Sequence, residues 1–197
     1  MQALLRVSSF IDAVTEWIGQ QMTWIVTLMI AIGFLNVVGR YVGRFLQMRL
    51  TSNALIEIQW YMFSVLFFLG FAYIMKHNLN VRVDFWYAKQ DAKRQAWIDL
   101  LGHVLFFVAF CIIGIAVSYG PVLRSWGLLR DGSWGNWEMS PDPDGLPRAP
   151  IKSMIIVSFA LLLIQTFSEV IKQIGVITGA VRPEALEKHH GHELPAE

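Results

Sequence analysis

Trp17–Gly39 reads WIGQQMTWIVTLMIAIGFLNVVG, 23 residues without Asp, Glu, Lys or Arg. An α-helix rises about 1.5 Å per residue and a bilayer's hydrocarbon core is about 30 Å thick, so about 20 apolar residues cross it. This stretch is long enough to span a membrane alone. Three more charge-poor blocks follow: Ile58–Met75 (18 residues), Leu100–Leu123 (24) and Ser153–Ser168 (16). The second reaches span length by taking in Leu55 and Ile56, with Glu57 near the interface. The fourth needs Ile171, Ile174, Val176 and Ile177 beyond the charged Glu169 and Lys172, with Lys152 extending its amine to the headgroups. In lipid every backbone N–H and C=O must find its partner within the chain, which makes blocks of this length helical.

The predicted fold class is an all-α integral membrane protein, with four transmembrane helices plus amphipathic interfacial helices. The spans fall at about 17–39, 55–75, 100–123 and 152–174. Composition agrees: of 197 residues 55% are hydrophobic and only 16% charged, against about a quarter charged in soluble domains. Sixteen Lys and Arg against fifteen Asp and Glu create no basic field for nucleic acid. Cys111 is the only cysteine, which excludes an intrachain disulfide and a cysteine-rich metal site. The first block is too long for a cleaved signal peptide, and Gly39-Arg40-Tyr41 is no small-residue cleavage site, so it is expected to remain as an anchor.

Around the 17–177 membrane domain, residues 1–16 form an N-terminal amphipathic segment. There Leu4, Val7, Ile11, Val14 and Ile18 recur at helical spacing, with Ser8, Asp12, Thr15 and Glu16 at other positions, as in an interfacial helix continuous with the first span or bent into it. A second interfacial helix is expected over about 85–99, where Phe85, Ala88, Ala92 and Ala96 share a stripe. Residues 124–151 form a Trp- and Pro-rich loop. From Arg124 to Lys152 there are four of the seven prolines and three tryptophans, Trp126, Trp134 and Trp137; they suit interface anchoring or contact with another protein. The tail, 178–197, with His189, His190 and His192, reads as flexible. Placing both termini inside puts nine basic residues inside against seven outside, a narrow margin.

No phosphate-binding loop and no His-Glu-x-x-His pattern is present. His77 and His103 lie near span ends and read as interhelical hydrogen bonders. The alternative is a membrane-anchor or electron-transfer subunit that orders them around a cofactor. Cys111 reads as packing. The interiors of the spans hold no acidic residue, which argues against a mid-membrane ion site in this chain. They carry small and polar residues suited to helix contacts: Gly33, Asn36, Ser64, Gly70, Ala109, Gly114, Ser118 and Ser158. A carboxylate near hydrocarbon needs compensation, so Glu57 is expected to cap its helix or to pair with Arg40 or Arg44.

Three stretches in order carry a family resemblance. They are Asn36-Val37-Val38-Gly39-Arg40-Tyr41; Glu57-Ile58-Gln59-Trp60-Tyr61 leading through Phe68-Leu69-Gly70-Phe71-Ala72-Tyr73 to Lys76 and Asn80-Val81-Arg82-Val83-Asp84; and Glu138-Met139-Ser140-Pro141 continuing to Gly145-Leu146-Pro147, Pro150 and Lys152. The combination resembles the small, DctQ-like membrane subunit of tripartite ATP-independent periplasmic (TRAP) transporters over roughly residues 10–175.

The resemblance implies a non-enzymatic, four-span accessory subunit with both termini cytoplasmic, in a bacterial or archaeal cell membrane, the inner membrane in a Gram-negative cell. Its partners would be a large DctM-like membrane subunit holding the sodium-coupled path and a periplasmic protein that captures an organic anion. No cofactor is expected on this chain, and sodium is implied for the partner subunit. The structural and assembly candidates are Asn36, Arg40, Glu57, Gly70, Lys76, Arg82, Asp84, Ser140, Pro141, Pro147 and Lys152. By this analogy Arg40 and Glu57 face the periplasm. The same analogy puts Lys76, Arg82 and Asp84 at the cytoplasmic edge; Arg82 and Asp84 are two apart and do not face one another on a regular helix, so they are expected to cap or tether neighbouring elements. The family often has His where this chain has Asn80, so a hydrogen-bonding role fits that position here and a titrating one does not.

Overall fold

The structure is a computed structural model. It describes residues 1–79, 84–87 and 89–181, with the backbone alone at residues 84 and 85. The helices are α1 (Gln2–Leu46), α2 (Asn53–Lys76), α3 (Asp84–Tyr87), α4 (Ala92–Gly102), α5 (Ala109–Ser125) and α6 (Ala149–Ile177), and a π-helical stretch, His103–Val108, joins α4 to α5. Among the described residues there is no strand, only the isolated bridges Leu128–Trp134 and Met139–Pro147. By length and apolarity four helical segments can cross a membrane: α1, α2, residues 92–125 and α6.

The amphipathic N-terminal segment and the first span are one 45-residue helix. Residues 85–99 are not one helix: α3 ends at Tyr87 and α4 begins at Ala92, from which helical structure continues to Ser125. Pro121 lies inside α5, where it lacks the N–H for an intrahelical bond. The helix nevertheless continues through Pro121 to Ser125.

The chain divides into two compact units. Unit 1 holds residues 1–18, 71–113 and 159–181 of the described chain, and unit 2 holds 19–70 and 114–158. Unit 1 has a small apolar core, in which Met75, Cys111 and Leu162 are buried with Phe107, Phe159 and Leu163 against them. Burial pairs Cys111 with apolar neighbours, in keeping with its reading as packing. Ala72, Ala96 and Val176 are also buried in this unit, and much of the remaining interior is polar. Ser8 Oγ lies 2.7 Å from Ser168 Oγ, Thr15 donates to Gln165 Oε1 at 2.7 Å, and Thr166 Oγ1 reaches Met75 Sδ at 3.5 Å.

The apolar stripe of the N-terminal segment faces outward, where an interfacial helix would meet lipid, but its polar stripe meets α6 and not water. Ser8 and Thr15 are 2% and 6% exposed, whereas Leu4 and Val7 are 50% and 52% exposed. In a helix facing water the apolar stripe turns inward; here the polar stripe does, against a matching one on α6. Lipid is itself apolar, so polar groups gain more by meeting one another than by facing outward. The same reasoning accounts for α6. It continues unbroken past Glu169 and Lys172 because both are buried beside each other, 2.7 Å apart.

In unit 2 the helices approach through small residues. A Cβ on Gly33 would stand 3.0 Å from Gln59 Oε1, and Ser158 Oγ donates to the Phe68 carbonyl at 2.7 Å, tying α6 to α2. Outside the helices, the segment between α5 and α6 is fixed by turns. Gly127 has φ +100°, and a Cβ there would meet the Gly135 carbonyl oxygen at 2.5 Å, so only glycine serves. Asp131 accepts from Ser133 N–H and Oγ at 3.1 and 2.7 Å, closing the tip of that turn.

Candidate functional site

The α2 residues Asn53, Glu57 and Tyr61 are four apart and share one helical stripe, and in unit 2 all three hold the 140–147 segment. Asn53 Nδ2 donates to the Pro143 carbonyl at 3.0 Å, and Tyr61 Oη to the Pro147 carbonyl at 3.1 Å. Between them the Glu57 carboxylate accepts from Ser140 Oγ at one oxygen and from the Leu146 backbone N–H at the other. Glu57 is 3% exposed. Its compensation thus comes from Ser140 and Leu146, with the charge of Arg148 nearby, and not from Arg40 or Arg44.

The loop's own framework makes this capture possible. Glu138 and Arg148 are joined by Arg148 N–H to the Glu138 carbonyl at 2.8 Å, and Ser140 N–H reaches the Leu146 carbonyl at 3.1 Å. Gly145 packs where a Cβ would lie 2.4 Å from Ser140 Cβ. Pro141 follows directly on Ser140, and Asp142 N–H returns to Ser140 Oγ at 3.3 Å. At the other margin Lys152 donates to the Glu138 carboxylate. That bond holds the Glu138 carboxyl below its ordinary value against the opposing effect of desolvation. Trp126 donates to Ser153 Oγ at 2.7 Å and meets Trp137 edge to face at 4.7 Å. Of the expected positions, Glu57, Ser140, Pro141, Pro147 and Lys152 are therefore brought together. Asn53, Tyr61 and Leu146 are the members that sequence reasoning missed; the four-residue spacing of polar groups at 53, 57 and 61 was the available signal.

Unit 1 holds a second polar cluster. Lys172 Nζ lies 2.7 Å from both Asp12 Oδ2 and Glu169 Oε1. Gln165 Nε2 donates to Asp12 at 2.9 Å and to Glu169 at 3.1 Å, and Ser168 Oγ donates to Asp12 at 2.8 Å. Two carboxylates thus share one ammonium, with amide and hydroxyl donors filling the remaining acceptor positions. Nearby, Lys76 Nζ and His77 Nε2 both contact Glu16 Oε2, at 2.5 and 2.9 Å, and the His77 ring lies 4.3 Å from Tyr73. His77 is thus an interhelical hydrogen bonder. His103 begins the π-helical stretch, its ring 5.6 Å from Phe107. Among the described residues no group of three or more His, Cys, Asp or Glu is placed to hold a metal ion.

The remaining candidates are dispersed. Asn36 is buried in α1 and its Oδ1 has no hydrogen-bond partner among the described residues. Arg40 is exposed near the end of α1. A Cβ on Gly70 would meet nothing within 4 Å, so this glycine is not needed for packing within the chain. Asp84 begins α3; Arg82 and Asn80 lie outside the described residues.

Four apolar helices of spanning length, with their polar groups directed into two internal networks, define a multi-pass all-α membrane protein. Residues 29–175 match the family described as tripartite ATP-independent periplasmic transporters, DctQ component, and the chain belongs to that family. It is thus a small membrane component of a TRAP transporter. Comparison of the chain with curated proteins and with solved structures gives no significant match.

Proposed function

We propose that this chain is the accessory membrane subunit that anchors and braces a large DctM-like transport subunit, in a sodium-coupled, binding-protein-dependent secondary transporter for an organic anion, a carboxylate. It acts without catalysis and without a cofactor of its own; the sodium sites belong to the large subunit. It resides in a bacterial or archaeal cell membrane, the inner membrane of a Gram-negative cell, with both termini cytoplasmic and the Trp- and Pro-rich loop periplasmic. The family match carries this reading. The internal use of the chain's charges supports it, since Glu57, Glu138, Asp12, Glu16 and Glu169 are each engaged by groups of the same chain. Outward-facing Phe34, Phe63, Phe106 and Val117 offer apolar surface to lipid and to a larger membrane partner.

Reconstitution of this chain, the large subunit and both together, with the cognate binding protein, a sodium gradient and labelled organic anions, tests the assignment. Uptake is expected only with both membrane subunits present. Sodium-driven uptake by this chain alone overturns the accessory role, and full uptake by the large subunit alone removes the bracing role.

A further inference from the structure

The end of α1 carries the repeat Gly39-Arg40-Tyr41-Val42-Gly43-Arg44, and the chain then turns back on it. Gln47 takes φ 55° and Met48 N–H bonds to the Gly43 carbonyl at 2.9 Å, a helix-ending arrangement in which one left-handed residue reverses the chain. The returning segment lies close to the two glycines. A Cβ on Gly43 would stand 2.6 Å from the Met48 carbonyl oxygen, and one on Gly39 would stand 3.0 Å from Thr51 Cγ2. Each glycine is followed by an arginine, so the helix face beside this close contact carries Arg40 and Arg44, one turn apart. The returning segment adds Arg49.

These three arginines line one cavity of about 400 Å³ with Tyr41, Met48, Leu50 and Thr51, and no carboxylate lines it. Asp144 borders the neighbouring cavity with Arg49 but forms no ion pair with it. The cavity starts at Gly39, where the charge-free block 17–39 ends, which is the depth of a membrane–water boundary. Beside it Tyr41, Phe45, Leu46 and Met48 are exposed, Phe45 to 92%. The negative end of α1 opposes an anion there by about half a charge, which three guanidinium groups outweigh.

We propose that this cavity binds the phosphate of an anionic membrane phospholipid, with the guanidinium forks on the phosphate oxygens and the acyl chains along the exposed apolar residues of α1. A lipid suits the site better than a soluble anion because cationic and apolar surfaces are contiguous in it.

The test is native mass spectrometry of the full chain in mild detergent, after equilibration with phosphatidylglycerol, phosphatidylcholine or inorganic phosphate. Phosphatidylglycerol is expected to be retained over phosphatidylcholine. Removal of each guanidinium should lower retention about fivefold, the effect of one basic residue near an anionic surface, in R40Q/R44Q/R49Q and also in R49Q alone, which alters no helix. The charge-matched control K89Q/K93Q/R94Q should retain lipid as the parent chain does. Equal retention of the two lipids, undiminished retention by R49Q, equal loss in the control, or displacement by millimolar inorganic phosphate overturns the proposal. Undiminished retention together with lost transport by the reconstituted complex assigns the arginines to a protein partner instead.

Discussion

The carboxylate of Glu57, in the first turns of α2, accepts the backbone N–H of Leu146, which lies 89 positions further along the chain. An amide that would otherwise need water in a Pro-broken loop is satisfied by a charged acceptor on a rigid helix. Glu57→Leu keeps much of the bulk but removes both acceptor oxygens, so neither the Ser140 hydroxyl nor the Leu146 N–H keeps its partner. The loop is then expected to detach at 140–146 and become cleavable by protease, while the helix content of α2 is unchanged. Limited proteolysis with circular dichroism checks this; a loop equally resistant in the variant rules out Glu57 as its anchor.

Lys172 is the shared cation between Asp12 and Glu169. Lys172→Met leaves two carboxylates in the interior of unit 1 without it, and removal of one partner from a buried ion pair costs about 3–5 kcal/mol. Thermal unfolding in detergent should show a large loss, and D12N/E169Q/K172M, which removes all three charges together, should recover much of it. If Lys172→Met and the triple variant unfold at the same temperature, uncompensated charge is not the cause of the loss.

Below about pH 4.5 the loop margin should weaken. The folded Glu138 carboxyl titrates below its ordinary value near 4.5, chiefly because Lys152 donates to it. Its stabilisation is complete above pH 4.5 and is lost as pH falls through the lower folded value. Both side chains are more than a third exposed, so the effect is small, under about 1 kcal/mol. Tryptophan fluorescence of the loop during acid titration should shift below pH 4.5 in the parent chain and shift less in Glu138→Gln. Asp131, held down by Ser133, contributes with the same sign in both proteins and cancels in the comparison.

The positions of the spans were legible because runs such as Trp17–Gly39 and Leu100–Leu123 contain no charge, a property local to each segment. The sense of the N-terminal amphipathic stripe was not. Ser8, Asp12 and Thr15 form the same pattern whether they face water or a partner helix, and the deciding stripe, Gln165, Ser168, Glu169 and Lys172, lies some 150 residues away. Read alone, Glu169 and Lys172 weakened the fourth span; with Asp12 beside them they become part of its packing. Glu57 illustrates the same limit. The arginines expected to pair with it, Arg40 and Arg44, line a cavity with Arg49, and its partners come from a distant loop. The break between α3 and α4 and the π-helical stretch His103–Val108 had no marker in the hydrophobic pattern.

Gly70 separates contacts within the chain from contacts with a partner. It lies in α2, a Cβ there would meet nothing within 4 Å, and glycine inside a helix is itself unfavourable by roughly 0.5–1 kcal/mol relative to alanine. A larger residue at this position should therefore leave the isolated chain as stable as before or slightly more stable. If Gly70 instead permits close approach of a helix from the large subunit, Gly70→Leu should place four carbon atoms in that contact. Small residues at membrane helix interfaces act in this way, by letting backbones come together. The expected result is an unfolding temperature for the isolated Gly70→Leu chain no lower than that of the parent, with reduced co-purification of the large subunit. Gly70→Ala should fall between the two in co-purification, since it adds a single methyl. Full recovery of the complex with Gly70→Leu would place this face of α2 against lipid and remove Gly70 from the assembly surface.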